Sequence, residues 1–373
     1  MIIKNGHVLS SDFSRFEDRD LMIENGKICD HIPADATVVD AKGAYIIPGF
    51  IDTHLHGYQG VAFGDGEKDI TPAAQALARQ GVTGFALSIA CRPLDELEAS
   101  LSANARRVGQ PGKGAKAYGI HCEGPFISKE KSGAMTPPEA ECSVESVGRL
   151  LEAGEGYIKI MTIAPERENA LKVIAAYKDR LSFSMGHTMA TYEETLTAIN
   201  AGACRATHTF NAMRSLHHRE PGVLGAVLTD DRITCEMIGD FVHLAPALCQ
   251  MIYRVKGPDK VTLVSDTGEL GGMPDGDYPS EGEILTVKNG VCRNAEGTIA
   301  GSCFTLLKGV QNLRSLGIPL NDIARMASLN PAKALGVDGV TGSIAPGKWA
   351  DLVFCDDMAR ITAVYVNGVR VED

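Results

Sequence analysis

Two histidines separated by one leucine, His54 and His56, stand in the run PGFIDTHLHGY, with apolar residues before them and glycine after. On an extended strand they project to the same face. Such a pair is either one half of a metal site or two polar residues of a buried strand, and taken alone it leaves both readings open. Four more residues of ligating type close apolar runs further on: Glu123 in AYGIHCE, His187 in LSFSMGH, His208 in CRATHTF and Asp266 in VTLVSD. Singly, each of these four reads as a hydrogen-bonded core residue or a polar strand end. Together with the pair they do not, because burying several ionisable groups is costly unless they are paired or bind metal. Imidazole and carboxylate donors suit zinc or a divalent iron-type ion. One tetrahedral ion does not use so many donors, and two ions bridged by a carboxylate fit better. A bound divalent ion lowers the pKa of water to about 7. Cys122 precedes Glu123 and so faces the other way.

The elements that must position these residues are short apolar strands alternating with helical segments. The strands are GFIDTHLH, VTGFALSI, AYGIHCEGP, YIKIMTIAPE, LSFSMGHT, CRATHTFN, TCEMIGDFVH and VTLVSDTG; helix-like runs such as TPAAQALARQG, SVESVGRLLEAG, ENALKVIAAYKDR and TYEETLTAINAG lie between them. The alternation predicts a parallel sheet, and eight βα units predict a closed (β/α)8 barrel with its chemistry at the C-terminal ends of the strands. An open doubly wound sheet is the second choice, but no glycine-rich phosphate loop follows the first strand. After the eighth strand, a glycine-rich segment from Gly268 to Cys303 carries its own Asn289-Gly290 turn.

Both ends of the chain read as β-structure. Asn5-Gly6, Asn25-Gly26 and Asn367-Gly368 each separate β-prone runs, and Asn-Gly suits the type I′ turn of a hairpin. A small β-domain built from both termini is the expectation. The 373 residues are enough for one large domain and one small one. A net charge of −11 argues against a general nucleic-acid surface while leaving room for a local anion pocket. The ten cysteines form no CxxC pair and read as reduced core residues. No signal-type core and no membrane-spanning apolar run is found, so a cytoplasmic protein is expected.

At the level of whole motifs the chain resembles the amidohydrolase superfamily, and within it the N-acetylglucosamine-6-phosphate deacetylases. The resemblance runs nearly end to end through PGFIDTHLHG, GIHCEGPFIS, TIAPE, GHTMATYEE, THTFNAM, REPG, VSDTG with MPDGDY, GTIAGS, and SLNPAKALG with GSIAPGKWADLV. It implies a distorted (β/α)8 barrel over residues 48–341 and a small β-sandwich domain from residues 1–47 and 342–373. It assigns His54 and His56 to one metal with Glu123 shared or bridging, His187 and His208 to the other, and Asp266 to acid/base chemistry, in which a pure metal ligand is the competing role. One or two divalent ions per subunit, zinc or iron, are implied. For the substrate, a phosphorylated amino sugar, it points to Ala134, Asn211, Ala212, Arg219, His243, Ile299, Ala300 and Gly301. The arginine reaches a neighbouring subunit's site in the family, which implies a homodimer. The simpler reading of Arg219 is an ion pair with Glu220; His217 and His218 read as loop residues.

One position departs from the pattern. Where the family carries a substrate-contacting histidine after EGPFIS, this chain has Met135, and a thioether cannot donate a hydrogen bond. The galactosamine epimer or another amide substrate therefore stays beside the glucosamine one. Two further readings are a cyclic-amide hydrolase, with Lys159 as a carbamylated metal bridge, and a non-catalytic scaffold. Lys159 lies early in its strand, and all six ligand-type residues are present, so both rank lower. His121 sits one layer below Glu123, as a support.

Overall fold

Eight parallel strands pair in chain order: Phe50–Asp52, Val82–Ala90, Lys116–Glu123, Ile158–Ile163, Ser182–Met185, Arg205–Ala206, Thr234–Ile238 and Val261–Val264. They are seen in a computed structural model that describes residues 1–33, 35–110, 112–280 and 282–372. Each is the core of one of the eight runs read from the sequence. The helices Thr71–Arg79, Val144–Ala153, Ala170–Tyr177 and Tyr192–Ala201 fall in the runs expected to be helical. The last of these shows why. Thr191 accepts from the amide of Glu194, and Glu194 reaches back to Thr191, a reciprocal cap at the helix start. Thr195, Ala198 and Ile199 then form its buried stripe against the sheet.

The barrel is distorted at its seam. The first and eighth strands do not pair along their lengths. They meet just beyond their ends, where the amide of Asp266 donates to the His54 carbonyl at 2.9 Å and Leu55 bridges Thr267. Below that point buried Asp52 receives the amides of His54 and Ser265, at 3.2 and 3.3 Å. Burial pushes the Asp52 carboxyl up to about 7, against the hydrogen bonds from Ser265 and from the His54 amide. The two strands that carry ligand-type residues at the seam are thus tied by backbone bonds.

After the eighth strand the chain forms a four-stranded antiparallel flap, Gly276–Ser280, Glu283–Lys288, Val291–Arg293 and Ile299–Ser302. It has its own small core of Leu270, Leu285, Val287, Cys292 and Cys303, and Ser302 bridges back to Thr267.

The termini build two sheets. One orders Lys27–Cys29, Leu21–Glu24, Ile2–Lys4 and Val38–Asp40; the other orders Val369–Arg370, Ile361–Val366, Leu352–Cys355, Tyr45–Pro48, His7–Leu9 and Phe16–Asp18. Asn25-Gly26, Asn289-Gly290 and Asn367-Gly368 turn hairpins, with φ positive at both residues as type I′ requires. Asn5-Gly6 does not. The strands on either side of it lie in different sheets, so this dipeptide is a crossing between layers. Its glycine answers to packing: a Cβ on Gly6 would lie 2.6 Å from Ile46 Cδ1.

Lys116, at the start of the third barrel strand, joins barrel to terminal sheets. Its ammonium donates to both oxygens of Asp351 at 3.2 Å and sits 4.9 Å from the Trp349 ring centre. Asp351 is nearly fully buried and also accepts from the Asn367 amide and Thr341. Asp351→Ala strands the buried cation and is expected to cost about 3 kcal/mol. A urea unfolding midpoint equal to wild type, at equal slope, would refute this coupling.

Candidate active site

The six ligand-type side chains converge at the C-terminal mouth of the barrel. Each stands at or just past the end of its strand, where the chain must turn out of the sheet while the side chain stays inward. His187, His208 and Asp266 do this with left-handed backbone, at φ 47°, 27° and 53°. Non-glycine residues rarely adopt that region, and it costs on the order of 1–3 kcal/mol each.

Two ligand sets result, His54 with His56 and Asp266, and Glu123 with His187 and His208; within each, one donor atom per residue lies within 4.8 Å of the others. His54 Nε2 is 3.2 Å from His56 Nε2 and 3.3 Å from Asp266 Oδ1. His187 Nε2 is 3.0 Å from His208 Nε2. Glu123 joins the sets. Its Oε1 is 3.1 Å from His54 Nε2 and 3.2 Å from both His187 and His208, while its Oε2 is 3.1 Å from His56. The sequence expectation that Glu123 serves both halves matches this geometry; the grouping of Asp266 with the His-x-His pair was not part of it.

The chemistry of the donors tests whether a cation fits. His187 Nδ1 donates to the Lys131 carbonyl at 2.7 Å, which requires the proton on that nitrogen. His54 Nδ1 lies 3.1 Å from Glu236 Oε2, which places a proton there too. In the neutral rings the opposite nitrogens therefore present bare lone pairs to carboxylate oxygens and to each other. Electron-rich atoms held at 3.0–3.3 Å are stable only around positive charge. Without an ion a proton supplies it: burial opposes charge on His54, but Asp266, Glu123 and Glu236 outweigh burial and hold its pKa well above the ordinary range. Burial would raise the pKa of Glu123, yet the charge of His54 and hydrogen bonds from His187, His208 and His54 hold it well below. A divalent ion satisfies the same donors at once, so the residues fit the metal that the ligand types imply.

A supporting layer went unread in the sequence. Glu236, buried in the seventh strand, holds His54 on one oxygen and Arg205 on the other at 3.2 Å. Its only sequence signal is a lone acid inside the apolar run TCEMI. Asp240 accepts from His243 Nδ1 at 2.7 Å and from Ser302 at 3.2 Å, tying His243 to the flap. Burial opposes charge on His243, but Asp240 outweighs it and raises the pKa above the usual value. His121 supports the site from below, bonded to Ser88 and Thr162 at 3.1 and 2.9 Å, with its ring 4.4 Å from that of His54. Burial and the charge of His54 keep it neutral.

The other expected residues are distributed around the mouth. Ala134 and Met135 are half-buried in the loop after Glu123, with Met135 Sδ 3.7 Å from Cys91 Sγ. Asn211 folds back onto the His208 carbonyl, and Ala212 has φ 48°. Ile299, Ala300 and Gly301 lie on the last flap strand, where the Ser302 amide donates to the Asp266 carbonyl at 2.8 Å. A Cβ on Gly301 would lie 3.1 Å from that same carbonyl oxygen. Arg219 is not joined to this group by any hydrogen bond among the described residues. It is exposed beside His217 and His218, and donates to His218 at 2.7 Å. Glu220 pairs with Arg214 instead, so the simple Arg219–Glu220 ion pair is not formed. Lys159 bonds the Gly156 carbonyl, away from the ligand sets, which removes the carbamylated-lysine reading.

A parallel barrel with histidine–carboxylate ligand sets at its C-terminal mouth has the fold and site of a metal-dependent hydrolase. Residues 45–371 match the model of the Amidohydrolase family. The chain is 35% identical to N-acetylgalactosamine-6-phosphate deacetylase of Escherichia coli O157:H7, over 94% of each chain. It is 30% identical to N-acetylglucosamine-6-phosphate deacetylase of Lysinibacillus sphaericus, over 100% of this chain and 98% of that one. A mutant N-acetyl-D-glucosamine-6-phosphate deacetylase from Mycobacterium smegmatis, solved in complex with N-acetyl-D-glucosamine-6-phosphate, is similar at a TM-score of 0.91. That likeness comes with 36% identity and covers 100% of this chain and 99% of the other. The chain belongs to the amidohydrolase family, in its N-acetylglucosamine-6-phosphate deacetylase branch.

Because Glu236 fixes the His54 ring, Glu236→Gln is expected to weaken metal binding at the His54, His56 and Asp266 set by about 10–100-fold. Metal content measured against a buffered series of free zinc checks this. Unchanged occupancy at every concentration would remove Glu236 from the site.

Proposed function

We propose that this chain removes the acetyl group from N-acetylglucosamine 6-phosphate by hydrolysis, giving acetate and glucosamine 6-phosphate. One observation carries the mechanism. Of the six clustered side chains, only His56 and Asp266 open to the mouth, 20% and 17% exposed, while the others are buried. Asp266 is thus the carboxylate that water and substrate reach.

His54, His56, Glu123, His187, His208 and Asp266 would hold one or two divalent ions, zinc or iron, which when bound would supply a Lewis acid for the carbonyl and for water. Asp266 accepts the proton of the attacking water. It then delivers that proton to the departing amine, which is a very poor leaving group as an anion. The main-chain bonds from the Asp266 amide to the His54 carbonyl and from the Ser302 amide to the Asp266 carbonyl hold Asp266 in place for both transfers. His243, whose charged form Asp240 favours, and the backbone at Asn211 and Ala212 would receive the phosphate, while the backbone of Ile299 to Gly301 would meet the sugar. The exposure of Arg219 supports a homodimer in which it reaches the partner's site. Ten free cysteines suit the reducing cytoplasm, and among the described residues no helix is long and apolar enough to cross a membrane.

Met135 favours a second reading, hydrolysis of the galactosamine epimer. The test is acetate release by metal-loaded protein from both sugar phosphates. Turnover of neither overturns the function. Asp266→Asn should lower kcat by at least about 100-fold, and full activity in that variant overturns the mechanism. Met135→His should raise turnover of the glucosamine substrate relative to its epimer.

The charge on His243 adds a pH dependence. A raised pKa keeps the ring cationic above its ordinary value and loses that charge as pH rises further. KM for the sugar phosphate should therefore climb as pH rises beyond the ordinary histidine range, where the phosphate itself is already dianionic. In His243→Gln the climb should be absent. Parallel profiles for the two proteins would exclude His243 from phosphate binding.

A further inference from the structure

A cavity of about 150 Å³ opens beside His56, beneath the flap, and none of the residues given a part in binding the phosphate or moving the proton lines it. That is roughly the volume that, in an apolar protein interior, holds a benzene ring. Its aliphatic walls are Ala62, Ala90, Leu270, Leu285 and Ala300. The polar groups that reach it are engaged with the protein. Ser88 bonds His121, Ser280 donates to Glu269 at 2.5 Å, Ser302 bonds Asp240, and Arg92 donates to the Gly64 carbonyl. With those atoms engaged, the walls suit an uncharged, apolar occupant.

Its position around the barrel decides what that occupant is. Ala62 and Ala90 follow or end the first and second strands, whereas Asn211 and Ala212 follow the sixth and His243 the seventh. In an eight-stranded ring the second strand stands opposite the sixth. A secondary amide is planar and trans, so the first carbon of its acyl tail and the carbon bearing its nitrogen point to opposite ends, about 3.8 Å apart. With the carbonyl at the ligand sets and the sugar phosphate over strands six and seven, the acyl tail is directed at the cavity beside His56.

Building on the amide-hydrolase reading above, we infer that this cavity is an acyl-tail subsite, and that the enzyme also hydrolyses N-acyl amino-sugar phosphates with linear tails longer than acetyl, such as propionyl and butyryl. Water adds to the longer acyl carbonyl as it does to acetyl. The C–N bond breaks, the carboxylate leaves with the water oxygen, and the amine takes the proton.

The experiment compares kcat/KM of the metal-loaded enzyme for the N-acetyl, N-propionyl and N-butyryl forms of glucosamine 6-phosphate. Propionyl and butyryl values within about tenfold of acetyl are expected, since a methylene in an apolar pocket changes discrimination by about tenfold or more only where it gains or lacks a fit. Ala62→Leu should lower the butyryl-to-acetyl ratio by at least about tenfold, and Leu285→Ala should leave it equal or raise it. Acetyl turnover with propionyl and butyryl more than about tenfold slower overturns the inference and leaves the deacetylase reading standing. Longer tails cleaved at a ratio that Ala62→Leu does not alter overturn the assignment of this cavity. Hydrolysis of none of the three removes the inference together with the reading it rests on.

Discussion

The carboxylate of Glu123 is the interaction on which the site depends. Its two oxygens lie within 3.2 Å of four imidazoles drawn from the first, fifth and sixth strands. Among the described residues no other side chain touches both ligand sets so widely. A buried carboxylate surrounded by imidazole nitrogens is tolerable only where positive charge is shared among them. That requirement makes the centre a cation site before any particular chemistry is considered. It also explains the second layer: Glu236 and the Lys131 carbonyl each hold one nitrogen of a ring so that the other faces inward.

Holding so many donors within a few ångströms asks something of the backbone. The strands end early, one after only two residues in the ladder, and three ligand-type residues adopt positive φ. The cost is spread over a rigid frame. The seam of the barrel is joined exactly where the ligands are, by the Asp266 amide on the His54 carbonyl, and the flap is joined at the same place, by Ser302 on the Asp266 carbonyl. Asp266 is thus fixed by main-chain bonds on two sides, while its carboxylate remains reachable from the mouth. Precise placement and solvent access are otherwise in tension.

Much of this was legible along the chain. The eight strand runs, the helix that begins after Thr191 and the six ligand-type residues could be read because each follows a local rule: short apolar runs, helical stretches alternating with them, and polar ends on the apolar runs. Asn25-Gly26, Asn289-Gly290 and Asn367-Gly368 behaved as local rules predict. Asn5-Gly6 has the same dipeptide and did not, since sheet partners, and the close approach of Ile46, decide whether a turn becomes a hairpin or a crossing. Glu236 was missed for a related reason. A single acid in a strand looks like an exception to burial until its partner, 182 residues away in the case of His54, is brought beside it.

The sequence by itself determined the ligand types, their strand-end positions and hence a barrel with a metal-type centre, because side-chain alternation and hydrophobic periodicity are properties of neighbouring residues. Only the tertiary structure decided how the donors group, with Asp266 joining His54 and His56 while Glu123 spans both sets. It alone showed Arg219 exposed and away from Glu220, and a cavity left beside His56. These are distances between strands, set by barrel closure and by the flap that folds over it, and no local pattern encodes them.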